Sequence, residues 1–181
     1  MSRTRHLPAR LLTPNLTLTL TGSLLVLAPA AGAAPCTPPA QRIGAVQGRG
    51  DATPLAGQQV SVTGTVVGDE PGLSGFHLQD GGNQDRSTSD AIFVFQPGAA
   101  VDLGDTVNVT GPASEYFSQA QISAATAVSV CVNGTLADLP RAAELDLPAD
   151  DAARERLEGM LVRPTDRLSV MASTTSRGSV N

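Results

Sequence analysis

Apolar and polar side chains alternate without a break over residues 59–67. Val60, Val62 and Val66 fall on one side and Ser61, Thr63 and Thr65 on the other. A period of two over this length predicts a strand with one buried face. Gly64 within it predicts a bulge or tight bend of the kind small barrels need at their corners. Residues 75–79 repeat the pattern, setting Phe76 and Leu78 against His77 and Gln79. Residues 91–95 are apolar on both faces, with Ile92 and Val94 on one and Phe93 and Phe95 on the other. Such a strand is either central in its sheet or presents its rings to something.

A fourth strand is expected over 106–110 with Val107 and Val109 inward. Glu115, Tyr116 and Phe117 then form an aromatic corner, and 121–132 reads as one long strand or a pair. Upstream, Ile43, Gly44, Ala45 and Val46 read as a short edge strand, followed by turns at Gly48, Gly50, Pro54 and Gly57. Short strands, turns between them and almost no helical period imply an all-β fold, a small antiparallel barrel or sandwich. Five strands between residues 40 and 133 suit an OB-like barrel better than a seven-stranded immunoglobulin-type sandwich.

The pattern changes after Val132. Residues 134–149 read as a linker rich in Pro, Ala and Leu. Asp150 is placed to cap a short helix over 151–157 with acids in its first turn. Residues 158–163 read as the opening strand of another sheet, so 150–170 is expected to be the start of a second, incomplete domain.

The first 33 residues are expected to be a secretory signal peptide. Arg3, Arg5 and Arg10 supply the positive region, 11–27 is an apolar run, and Ala31-Gly32-Ala33 is an A-x-A cleavage site. Threonines and Asn15 interrupt the run too often for a membrane anchor. The expected location is extracellular or periplasmic. Without the leader, nine arginines and no lysine face 17 acids, a formal charge near −8. That balance disfavours binding of a phosphate backbone by charge alone. The two cysteines, Cys36 and Cys131, form a disulfide in an oxidising compartment, the alternative being two lone thiols.

The ordered motifs resemble a family. Val46-Gln47-Gly48, Gly50-Asp51-Ala52 and Pro54-Leu55-Ala56-Gly57-Gln58 are followed by Val62-Thr63-Gly64-Thr65-Val66-Val67-Gly68-Asp69 and Gly75-Phe76-His77-Leu78-Gln79-Asp80. Then come Thr88-Ser89-Asp90-Ala91-Ile92-Phe93-Val94-Phe95, Gly104-Asp105-Thr106-Val107-Asn108-Val109-Thr110-Gly111 and Leu157-Glu158-Gly159-Met160-Leu161-Val162. Together, over residues 43–162, they look like the N-terminal OB-fold-like module of large bacterial extracellular nucleases. In that family the module precedes a catalytic domain of the endonuclease/exonuclease/phosphatase type. The resemblance implies a non-catalytic module that binds nucleic acid and presents it to a metal-dependent phosphodiesterase. The metal-holding part of that enzyme has no counterpart in this chain, so no catalytic residue carries over. Family members also resemble NYNLARFGE soon after the last motif, where 171–181 reads MASTTSRGSVN. Back-translated and read one nucleotide earlier, this stretch permits NLARFGE, so 171–181 is expected to be a frameshifted tail.

The candidate contacts lie mostly between Gly72 and Phe95, which holds three of the five aromatics. Phe93, Phe95, Tyr116 and Phe117 either stack bases or fill a small barrel. Arg86, with Arg42 and Arg49, are the available phosphate contacts, and His77 stands on the outer face of its strand. Asp80, Asp85 and Asp90, with Asn83 and Asp69, either hold Ca²⁺ through oxygen ligands or form a solvated turn. The module itself requires no cofactor, and any catalytic divalent metal belongs to the missing domain. The expected partner is single-stranded or duplex DNA or RNA, with no membrane and no obligate protein partner. A competing reading is a secreted structural or Ca²⁺-binding β-domain that packs against a neighbouring domain.

Overall fold

Strand β1 (Gln59–Glu70) carries the alternation into three dimensions: Val60, Val62, Val66 and the backbone of Gly64 face inward, and the threonines and Ser61 are half-exposed. The computed structural model describes Cys36 and residues 38–147 and 149–169. The expected signal peptide and the 171–181 tail lie outside the described residues. After β1 come β2 (Gly75–Gln79), β3 (Ala91–Phe95), β4 (Thr106–Tyr116), β5 (Gln119–Ser123) and β6 (Ala127–Val132). The first five close a ring in the order β1-β2-β3-β5-β4, with β4 returning to β1 through pairs from Gln59↔Pro112 to Thr65↔Thr106. This is an all-β, OB-like barrel.

One pairing departs from the expected antiparallel barrel. β3 and β5 run parallel, through Phe93↔Gln121, Val94↔Ile122 and Phe95↔Ser123, while the other ring pairings are antiparallel. The reason is arithmetic: strand direction cannot alternate all the way around a ring with an odd number of strands. The expected bulge at Gly64 is also displaced. The register shift lies between Val66 and Gly68. Gly64 instead allows close backbone approach, because a Cβ there would sit 2.7 Å from the carbonyl oxygen of Gln79.

The barrel is filled mainly by aliphatic side chains, with Val62, Val66, Leu78, Ile92, Val94, Val107, Val109 and Ile122 fully buried around Phe76. One end is plugged by helix α1 (Ile43–Gln47), where an edge strand is expected from sequence. Ile43 and Val46 are three residues apart, so one helical turn drives both into the core. The helix lacks a local side-chain cap, and Asp80 Oδ2 supplies the acceptor for the Ile43 amide at 3.0 Å.

β6 pairs with β4 outside the ring, from Thr106↔Val132 to Thr110↔Ala127. Cys131 on β6 is disulfide-bonded to Cys36, with Cα atoms 5.0 Å apart. The expected linker is not structureless: it contains a 3-10 turn (Leu136–Asp138) and strand β7 (Ala143–Leu145). Asp150 caps α2 (Asp151–Glu155) by accepting from the Ala153 amide at 2.7 Å, so the helix is shorter than expected but starts where its cap predicts. Strand β8 (Val162–Pro164) has a partner, pairing parallel with β7. Between α2 and β8, residues 157–161 pack on the barrel, and the separate two-stranded sheet with β7 begins at Val162, later than the expected 158.

Candidate functional site

The strand register sorts the outward side chains into rows. Residues paired directly across a ladder point to the same face, so His77 (β2), Phe93 (β3), Gln121 (β5) and Ser114 (β4) form one row across the outside of the barrel. Gly75, Phe95 and Ser123 form the row on one side of it. Gln79 and Ala91 flank it on the other, with Tyr116 and Gln119 paired at the β4–β5 turn. In OB folds the β2–β3 face and the β1–β2 and β4–β5 loops form the ligand surface. The same three regions supply the walls of a cleft of about 370 Å³: Leu73 from the β1–β2 connection, Phe93 and Phe95 from β3, and Tyr116, Gln119 and Gln121 from β4 and β5.

The rings are therefore not barrel filling. Phe95 is 37% exposed, Tyr116 59% and Phe117 89%, and of the five aromatics only Phe76 belongs to the cluster that fills the barrel. Phe93 is buried, but on the outer face. Its ring lies across Gly75, where a Cβ would collide with the Phe93 ring and the Val94 carbonyl oxygen. Gln121 is buried at the cleft floor and donates through Nε2 to Ser114 Oγ at 3.3 Å.

Tyr116 and Phe117 project at a tight hairpin. Tyr116 pairs with Gln119, and the two turn residues, Phe117 and Ser118, have φ of 49° and 61°. Two-residue hairpins with both central residues left-handed normally use Asn or Gly. A bulky exposed residue in that conformation costs about 1–2 kcal/mol, so Phe117 is a strained position next to Tyr116, which lines the cleft. Its ring meets Tyr116 edge-on at 4.7 Å.

Residues 157–161 lie as a strap over the β2 side of this face. Ser89 Oγ donates to the Glu158 carbonyl at 2.7 Å, and the Leu161 amide donates to Gln79 Oε1 at 2.9 Å. Glu158 Oε1 accepts from the Ala120 amide at 3.1 Å and from Gln47 Nε2 at 3.4 Å. Gly159 (φ 68°) passes so close to His77 that a Cβ there would stand 3.0 Å from the imidazole Cδ2. His77 is thus sandwiched between the strap and Phe93, whose ring centroid is 5.1 Å away.

No family model matches the chain, and no curated protein does. One solved structure that resembles it is that of the hypothetical protein ygiW from E. coli, with a TM-score of 0.32 and 18% identity over 40% of this chain and 74% of that one. A likeness of that size bears on neither fold nor function, and the barrel assignment rests on strand order alone.

The remaining sequence candidates have other partners. Arg86 does not join the aromatic cleft. It lines a separate hollow of about 390 Å³ with Thr88, Asp90 and Arg156. Arg49 is committed to Asp85 at 2.7 Å, and Arg42 approaches Asp80 at 3.8 Å. Asp80 accepts from the Ile43 and Gly82 amides, Asp85 from the Ser87 amide and hydroxyl, and Asp90 from the Asn83 amide. The loop clasps α1, and Gly44 admits Asn83 and Thr88 against the helix. Among the described residues no three His, Cys, Asp or Glu converge as a metal site. The Ser87 hydroxyl, followed by Arg49, lowers the Asp85 carboxyl to about 2, whereas burial raises that of Asp90. Sequence reasoning missed Leu73, Gln119, Gln121 and Glu158. Gln119 and Gln121 stand opposite the aromatics only once the register is known, and Leu73 reaches the cleft from the 3-10 turn before β2.

Burial lowers the pKa of His77 below 6.5, only partly opposed by the Glu70 charge. The folded state therefore favours neutral imidazole. The associated stability is fully present above pH 6.5 and is lost as pH falls through the lowered folded value. Thermal melts between about pH 7 and pH 5 should show a declining midpoint in wild type, and a smaller decline in His77→Gln. Equal declines would remove His77 from this role.

Proposed function

We propose that this chain is a non-catalytic, single-strand nucleic-acid-binding module that serves a secreted nuclease of the endonuclease/exonuclease/phosphatase type. The observation that carries the reading is the aromatic cleft lined by Phe93, Phe95 and Tyr116 on the outer face of an OB-like barrel, with the strained and exposed Phe117 against Tyr116. Bases stack on such rings whatever their sequence. A duplex hides its base faces, so an unpaired strand fits better. The arginines favoured from sequence as phosphate contacts are tied to acids or stand elsewhere, so stacking supplies the affinity. Export is supported by the Cys36–Cys131 disulfide, which belongs to an oxidising compartment. Among the described residues, no helix is long and apolar enough to cross a membrane.

Binding of a fluorescent oligothymidylate, followed by anisotropy at low salt, tests this. Phe117→Ala and Tyr116→Ala should each weaken binding by about 1–3 kcal/mol and leave the melting temperature unchanged. The salt dependence should be shallow, with fewer than about two counterions released. Absence of wild-type binding at low salt would refute the role and leave the cleft as a packing surface for a neighbouring domain.

A further inference from the structure

An unobstructed OB face lets a strand run across β2 and β3 from one loop to the other. Here the strap at 157–161 closes one end of that track. It is fixed to β2 through Gln79, to the chain just before β3 through Ser89, and to β5 through the Ala120 amide. His77, which would otherwise stand open beside Phe93, lies beneath Gly159. The obstruction is electrostatic as well as steric. Glu158, Glu155, Asp51 and Asp151 line a hollow that also includes Ser118 of the aromatic turn, with Arg154 as its one cation. Phosphates leaving the cleft in this direction meet like charge. The open part of the face holds Leu73, Phe95, Tyr116 and Gln119, room for a short segment.

We propose that the strap restricts the site to short segments or ends of a single strand, about two to three nucleotides, against the roughly 4–16 accommodated by OB folds in general. The inference rests on the nucleic-acid reading above. It differs from that reading in what it requires: affinity that stops growing with length, rather than affinity alone.

The test is a series of labelled oligothymidylates of two to twelve nucleotides, titrated with the full chain and corrected for the number of binding registers. The per-site Kd should reach a plateau by about three nucleotides and change less than about twofold beyond it. A per-site Kd that keeps falling tenfold or more between three and eight nucleotides would overturn the restriction and leave the stacking site intact. No binding at any length would overturn both. Glu158→Gln keeps the acceptor oxygen and removes its charge, and Gln79→Ala with Ser89→Ala removes two strap anchors. Either variant, folded by circular dichroism, should bind six-nucleotide probes several-fold more tightly than three-nucleotide ones. If both fold and both keep the plateau, the strap is not what limits the site.

Discussion

Replacing Cys36 and Cys131 by serine should lower the unfolding free energy by about 4–5 kcal/mol, the loop-entropy value for a loop of roughly this length. The bridge spans 95 residues of sequence and encloses the whole five-stranded ring. It also holds the segment leading into α1, whose Ile43 and Val46 plug the barrel end. Between the two, Ala40 and Gln41 donate to the Ser61 carbonyl at 3.1 Å and the Ser61 amide donates to Gln41 Oε1 at 2.9 Å, so the bridge adds to ties the plug already has. Urea denaturation of the oxidised, reduced and serine forms measures the difference. A shift below about 1 kcal/mol would mean that the unfolded chain gains little freedom when the bridge is cut.

Gly75→Ala should cost about 3 kcal/mol or more, at or above the usual range for overpacking. The added methyl meets a backbone atom, the Val94 carbonyl oxygen, and the edge of the Phe93 ring. The carbonyl belongs to a strand paired on both sides, so it cannot turn away without breaking the ladder. A Phe93 ring pushed off Gly75 would also lift the cleft floor. The variant should therefore melt lower and lose ligand affinity together, unlike Phe117→Ala, which separates the two. Thermal melts alongside anisotropy decide it, and an unchanged melting temperature would show that β2 and β3 can move apart at this point.

The contrast between these positions shows how far the sequence was legible. β1 and β2 followed from their apolar/polar alternation, and β3 from a short apolar run of strand-forming residues. Their pairing partners and the parallel β3–β5 junction depend on contacts between distant segments, which periodicity does not contain. For β3 the limit was sharper: with Ile92 and Val94 on one side and Phe93 and Phe95 on the other, either face qualified as core. The pairing of His77 with Phe93 decides it, placing the rings outside. Helix α1 was unreadable for a related reason. Ile-Gly-Ala-Val suits a strand, and what makes it helical is a plug position in the barrel and an acceptor from Asp80, 37 residues away. The Asp-rich loop was legible only as two alternatives, an ion site or a turn, and what the structure adds is that its acids accept from backbone amides, hydroxyls and arginines.

The parallel junction has a further consequence. β3 and β5 are joined by three residue pairs, and parallel ladders are slightly weaker per residue than antiparallel ones. The aromatic cleft lies directly over this seam, with Phe93 and Phe95 on one strand and Gln119 and Gln121 on the other. A bound molecule touching both strands bridges the barrel at its thinnest join. Such a molecule would add its contacts to the three pairs that close the ring there, so a ligand held in this cleft should stabilise the barrel as a whole.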